Sequence, residues 1–203
     1  MPASSSRSRR RDAILEAAAD RFVREGYAET TVDTIAAAAG VARATVFNHF
    51  EGKRALLIAL YDRQQERLLQ RLAERAPGAP WERQLAWFFR SGEAELRVDG
   101  ALTSILHAEV LHDPLLLAHD EVRGALVRRI LEQIVQDGQR QGRLAAGLRP
   151  GAIAGLFMDC WTAAVGRWVA QGRQTPLAAE VLRRVRLIVR GVGAGPGPAP
   201  RRS

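Results

Sequence analysis

The chain holds one cysteine, Cys160, among 203 residues. That excludes an internal disulfide framework and suits a reducing compartment, so a cytoplasmic location is expected. Alternating runs of valine, isoleucine and threonine are missing, and glycine and proline gather at a few points. An all-β chain would instead show turn residues every ~8–12 positions, so an all-α fold is expected. The longest glycine-free apolar run, "ALLIALY" at Ala55–Tyr61, falls far short of the roughly 18 residues that suggest a membrane span. No apolar segment follows the basic, serine-rich "MPASSSRSRRR", which argues against a secretory signal. Lysine is also scarce, with Lys53 the only one.

Arginine supplies almost all of the basic charge, a formal +8 with a pI near 11.1. Its planar fork matches phosphate and guanine, so a nucleic-acid partner fits. An arginine-, alanine- and glycine-rich composition also fits arginines that merely coat a solvated surface. Residues 1–54 carry 9 Lys+Arg against 7 Asp+Glu. The placement of the charges must therefore decide.

The placement is informative at "TVDTIAAAAGVARATVFNHF", Thr31–Phe50. Two short helical patterns are split by Gly40, and helices of two turns are marginal unless something packs on them. A first helix is expected over Arg9–Glu25, with Ile14, Ala18 and Phe22 on one stripe and Gly26 as its stop. "TTVD" has the form of a capping box opening a second helix, whose apolar face is Val32, Ile35, Ala36 and Ala39. After the turn Gly40-Val41-Ala42, a third helix over Arg43–His49 turns Val46 inward. Two helices joined by a tight turn and supported by another form a helix-turn-helix, whose second helix enters the major groove. Arg43 suits guanine or phosphate and Asn48 suits adenine, while Thr45 and His49 reach the nearby backbone. No acid lies between Ile35 and Phe50.

The run Ile14–Leu57 resembles the N-terminal domain of TetR-family transcriptional regulators, in register and without a gap. The matching pieces are an Ile-x-x-Ala-Ala…Phe first helix, "GYAETTV", "IAAAAGV", "ATVFNHF" and "GKRALL". The resemblance implies that Thr31 and Lys53 hold DNA phosphates and that Arg43, Thr45, Asn48 and His49 touch bases or backbone. Phe47 stands where the family commonly has a phosphate-binding tyrosine, which leaves only apolar contact there. Ala42 replaces the usual serine cap of the third helix, a loss of about 1 kcal/mol in typical cases.

Beyond "APGAP" at 76–80, the pattern continues as helices: Trp81–Arg97, Ala101–His112, about Asp120–Gly138, one reaching Gln171 and a last one after "TP". The resemblance makes this part an effector-binding and dimerisation domain. The expected organisation is a basic arm without order (1–8), a three-helix DNA-binding domain (9–55), a larger helical domain (56–191) and an unstructured tail (192–203). Its aromatics suggest a pocket made by Trp81, Trp87, Phe89, His107, Glu109, Phe157 and Trp161, with Asp159 as a further counter-charge. A dimer seam is expected through Trp168, Val181, Val185 and Ile188. His107 and His112 stand about 140° apart on a helix and do not converge on a metal. Cys160 on its apolar stripe reads as a small buried hydrophobe. No catalytic set, cofactor motif or metal site is found. The resulting expectation is a homodimeric repressor that binds a palindromic DNA operator and is released by a small-molecule effector. The alternative is a helical DNA-organising or protein-interaction module with no effector.

Overall fold

The computed structural model describes residues 3–74, 76 and 78–191. Ten α-helices and no strand occur among them, as the all-α expectation required. The chain divides into two compact units, one of residues 1–75 and 91–127 and the other of 76–90 and 128–203. The first break falls at the proline- and glycine-rich stretch and the others inside helices.

In the first unit, α1 (Ala3–Glu25), α2 (Val32–Ala38), α3 (Arg43–Phe47) and α4 (Lys53–Ala73) are joined by the C-terminal part of α5 (Trp81–Val98). It is completed by α6 (Gly100–His112), α7 (Pro114–Arg123) and the first residues of α8 (Ala125–Arg140). Its core is continuous: Ile14, Ala18 and Phe22 of α1 meet Ile35 of α2, Val46 of α3, and Leu56 and Leu60 of α4. Leu102 and Leu106 of α6 close it. Fully burying each such side chain is worth about 1.5–3 kcal/mol, and this burial holds helices as short as α2 and α3 in place. α1 begins at Ala3, so the part of the expected unordered arm that is described is helical. No helix breaker lies there, each added residue of an existing helix gains a hydrogen bond, and Ser8 donates to Asp12 Oδ2 at 3.5 Å. The expected tail 192–203 lies outside the described residues. The expected single helix from Asp120 is two, α7 and α8, which meet at Gly124.

In the second unit, the start of α5 and most of α8 pack with α9 (Pro150–Ala170) and α10 (Leu177–Arg190). Its core holds Trp81, Phe88, Phe89, Leu131, Ile134, Phe157, Val165, Trp168 and Val181. The Trp168 indole N–H donates to the Thr175 carbonyl at 2.9 Å, tying α9 to the turn before α10. Trp168, Val181 and Val185 were expected at a dimer seam, but their exposures of 1, 0 and 1% put them inside the protomer. A helical apolar stripe reports that a face is covered and not what covers it; here α9 and α10 cover each other. Of the four seam residues only Ile188 is exposed, at 40%, alongside Leu187 and, on α9, Leu156. No helix among the described residues is long and apolar enough to cross a membrane.

Candidate nucleic-acid interface

The turn between α2 and α3 is built by local chemistry. Gly40 adopts φ +66, its N–H donates to Ala37 O at 3.2 Å, and the Val41 N–H donates to Ala36 O at 3.0 Å. This paired closure satisfies the last free carbonyls of α2, and glycine is favoured at its left-handed position. At the other end Thr31 caps α2, with its side chain accepting from Thr34 N and the Thr31 N–H donating to Thr34 Oγ1, both at 3.2 Å. The capping box thus pairs Thr31 with Thr34, not Thr30 with Asp33. Thr30 is buried and donates to Gly26 O at 2.7 Å. Thr31 Oγ1 is occupied as a cap yet exposed at the helix start.

α3 spans only Arg43–Phe47, with Asn48 as its C-cap and His49 in the following turn, two residues short of the expected helix. Ala42 offers no side-chain cap. Val46 and Phe50 are buried, whereas Arg43, Ala44, Phe47 and Asn48 are exposed and Thr45 and His49 half-buried. Phe47 is 42% exposed. One small surface therefore presents a cation, an aromatic ring and an amide.

That cation, Arg43, and Lys53 at the start of α4 already have partners. Arg43 Nη1 donates to Asp33 Oδ2 at 2.5 Å, and its guanidinium lies over the Phe47 ring, 5.3 Å from the centroid. Lys53, first in α4, donates to the carbonyls of Tyr27 at 2.6 Å and Ala28 at 2.9 Å, above the Tyr27 ring at 4.5 Å. The ammonium thus pins the α1–α2 loop and keeps one N–H for another acceptor. Burial, aided by Glu109 and Asp113 and opposed by Arg54, raises the Tyr27 hydroxyl pKa and keeps it neutral. Asp33 is the residue that sequence reasoning missed. It lies just before the acid-free stretch, and the signal was its ten-residue separation from Arg43 across a helix-turn-helix.

The residues of the expected effector pocket divide between the two units. Trp81, Trp87, Phe89, Phe157 and Trp161 belong to the second unit, whereas His107 and Glu109 belong to the first. Phe89 stacks on Trp161, with centroids 5.5 Å apart and planes 21° apart. Phe157 is fully buried, and Asp159 is exposed instead of turned inward. Burial lowers the His107 pKa, and its Nε2 is buried without a hydrogen-bond partner. Cys160 is half-buried. A groove of about 290 Å³ lies elsewhere, in the first unit, lined by Gln65, Glu66, Leu69, Val122 and Leu126. None of the expected pocket residues lines it.

A three-helix core carrying a short, outward-facing, polar second helix after a glycine turn is the architecture of a helix-turn-helix DNA-binding regulator. Comparison with known proteins agrees. Residues 14–60 match the family of bacterial regulatory proteins, tetR family. The HTH-type transcriptional regulator TcmR of Streptomyces glaucescens is 30% identical over 174 residues, covering 80% of this chain and 72% of TcmR. The HTH-type transcriptional repressor DhaR of a Mycobacterium species is 28% identical over 177 residues, covering 82% and 86%. Thermus thermophilus FadR, a TetR-family repressor solved with lauroyl-CoA, is 27% identical at a TM-score of 0.67, covering 94% and 98%. The chain belongs to the TetR family and is a DNA-binding transcriptional regulator.

Proposed function

We propose that the protein is a dimeric repressor that leaves a palindromic operator when a small molecule binds. It acts by binding, without catalysis, in the cytoplasm. The observation that carries the DNA half is the exposed face of α3, where Arg43, Phe47 and Asn48 stand on a helix too short to serve as packing alone. In this reading Arg43, Thr45, Asn48 and His49 meet bases and nearby backbone, Thr31 and Lys53 meet phosphates, and Phe47 meets a thymine methyl. Residues 9–55 do the reading, and 56–191 serve dimerisation and effector binding. The dimer forms through the outward faces of α9 and α10, at Leu156, Leu187 and Ile188, which are 52, 55 and 40% exposed. Two copies then span successive major grooves, about 34–36 Å apart.

An anionic amphiphile is the effector class best supported. The second unit carries 15 Arg against 5 Asp+Glu, a net +10, while the first carries 15 Lys+Arg against 17, a net −2. The chain's basic excess therefore lies in the unit that does not contain α3, and it disfavours the cationic ligand that an aromatic box with carboxylates suggests. FadR of T. thermophilus was solved with lauroyl-CoA, an acyl chain with a polyphosphate head. The test selects bound duplexes from a genomic pool and titrates the best one with acyl-CoA thioesters, free fatty acids and coenzyme A alone. A coupling of about 1–3 kcal/mol weakens the operator complex roughly five- to 150-fold. The packed Phe89–Trp161 pair favours a second reading, a constitutive DNA-binding protein with no effector. Operator binding that no compound alters establishes that second reading.

A further inference from the structure

We propose that Asp33 is a specificity-determining residue, a built-in counter-ion that holds Arg43 back from non-specific phosphate. The proposal rests on the reading of α3 as the DNA-facing helix. Asp33 stands in the first turn of α2, and Arg43 is the first residue of α3. The turn brings their side chains to 2.5 Å, although both remain more than half exposed. The same guanidinium also lies over the Phe47 ring, 5.3 Å from its centroid. No buried polar network explains the pair, and neither side chain is needed to fill the core.

The consequence follows from charge. A free arginine on a reading helix is attracted to every phosphate of every sequence, and that attraction makes up nearly all non-specific affinity. A carboxylate already in place cancels most of it. Arg43 leaves Asp33 only for an acceptor that replaces both the charge and the geometry of a carboxylate. The paired O6 and N7 of guanine, aided by contacts elsewhere in the correct site, are such an acceptor. Asp33 therefore lowers binding to random duplex more than it lowers binding to the operator, and the ratio between them rises.

The test compares the full-length wild type with Asp33→Asn, Arg43→Ala and the double variant, on a random duplex and on the selected operator across a salt series. Asn keeps the size of the side chain, and circular dichroism with thermal melting verifies the fold. Asp33→Asn is expected to bind random duplex about two- to fivefold tighter, the range of an exposed ion pair. Its logarithmic salt slope should steepen by about 0.9, one further phosphate contact. Operator affinity should change less, so the specificity ratio falls. In the Arg43→Ala background the same substitution should leave the slope unchanged, which shows that Asp33 acts through Arg43. Unchanged random binding and slope in Asp33→Asn overturn the proposal. So does a selective loss of operator affinity, because Asp33 would then be reading a base itself. A wild type with no preferred site defeats the proposed repressor function, yet the slope on random duplex still reports on the ion pair.

Discussion

Removing Arg67 should cost more stability than removing any other arginine of α4, because of what it leaves behind. The Glu95 carboxylate is almost wholly buried, at 1% exposure for the residue. Arg67 Nε donates to it at 2.5 Å and Arg71 Nε at 3.3 Å, and Arg67 also reaches Asp99 at 3.3 Å. In Arg67→Ala the carboxylate stays buried with only the longer bond. Breaking a buried pair on one side costs about 3–5 kcal/mol, but Arg67 is about one-third exposed, so water partly replaces it. About 2–3 kcal/mol is therefore expected, whereas Arg71→Ala should cost below about 1 kcal/mol. For a chain of this size, 2–3 kcal/mol lowers the melting temperature by roughly 4–12 °C. Urea denaturation at fixed protein concentration gives the same difference as a lower midpoint at unchanged slope. Equal costs for the two variants, or a larger cost for Arg71→Ala, refute the idea that Arg67 neutralises Glu95.

Lys53→Met should weaken all DNA sequences nearly alike and flatten the salt slope by about 0.9; fluorescence anisotropy on two unrelated duplexes measures both. Asn48→Ala should instead relax preference at one base pair, costing about 1–3 kcal/mol on the operator and little on random duplex. Ile188→Arg should give a folded, sedimenting monomer that has lost specific binding, whereas Val185→Arg should unfold, since that side chain is internal. His107 lowers stability in acid: its folded pKa is pushed below the ordinary 6.5 by burial, so the unfolded chain takes up the proton first. Stability should fall as pH drops below about 6.5, and His107→Phe should flatten that decline in denaturation series between pH 7 and 5.

The DNA-binding half was legible because its signals are local. Ile14, Ala18, Phe22, Ile35 and Val46 recur at helical spacing and form one core. Gly40 stops α2 where only a left-handed residue fits. The capping pair was misplaced by one residue because Thr30 and Thr31 both have partners three positions on, and the burial of Thr30 decided between them. The effector half was less legible. Phe89 and Trp161 stack on each other, and whether such rings enclose a void or stack depends on contacts between helices distant in sequence. Of the expected seam, Val181 and Val185 lie on one strong apolar stripe of α10 that α9 of the same chain takes up, and Ile188 lies outside it.

The partners of Arg43 and Lys53 bear on how this protein gains affinity. Both cations hold acceptors before DNA arrives, a carboxylate for one and two carbonyls for the other. In the proposed complex Arg43 would exchange its carboxylate for a DNA acceptor, whereas Lys53 would use the one N–H it keeps, and an exchange yields less than capture of a phosphate by a free cation. With a recognition helix of five residues, one protomer has few further contacts with which to make up the difference. In the proposed dimer a second copy on the other half-site would add its binding energy without paying the association entropy again, so affinity would rise steeply with dimerisation. The same steepness would serve release: under the proposed function, an effector that alters the spacing of the two reading helices would convert paired binding into single binding, and weak individual contacts would make that loss large.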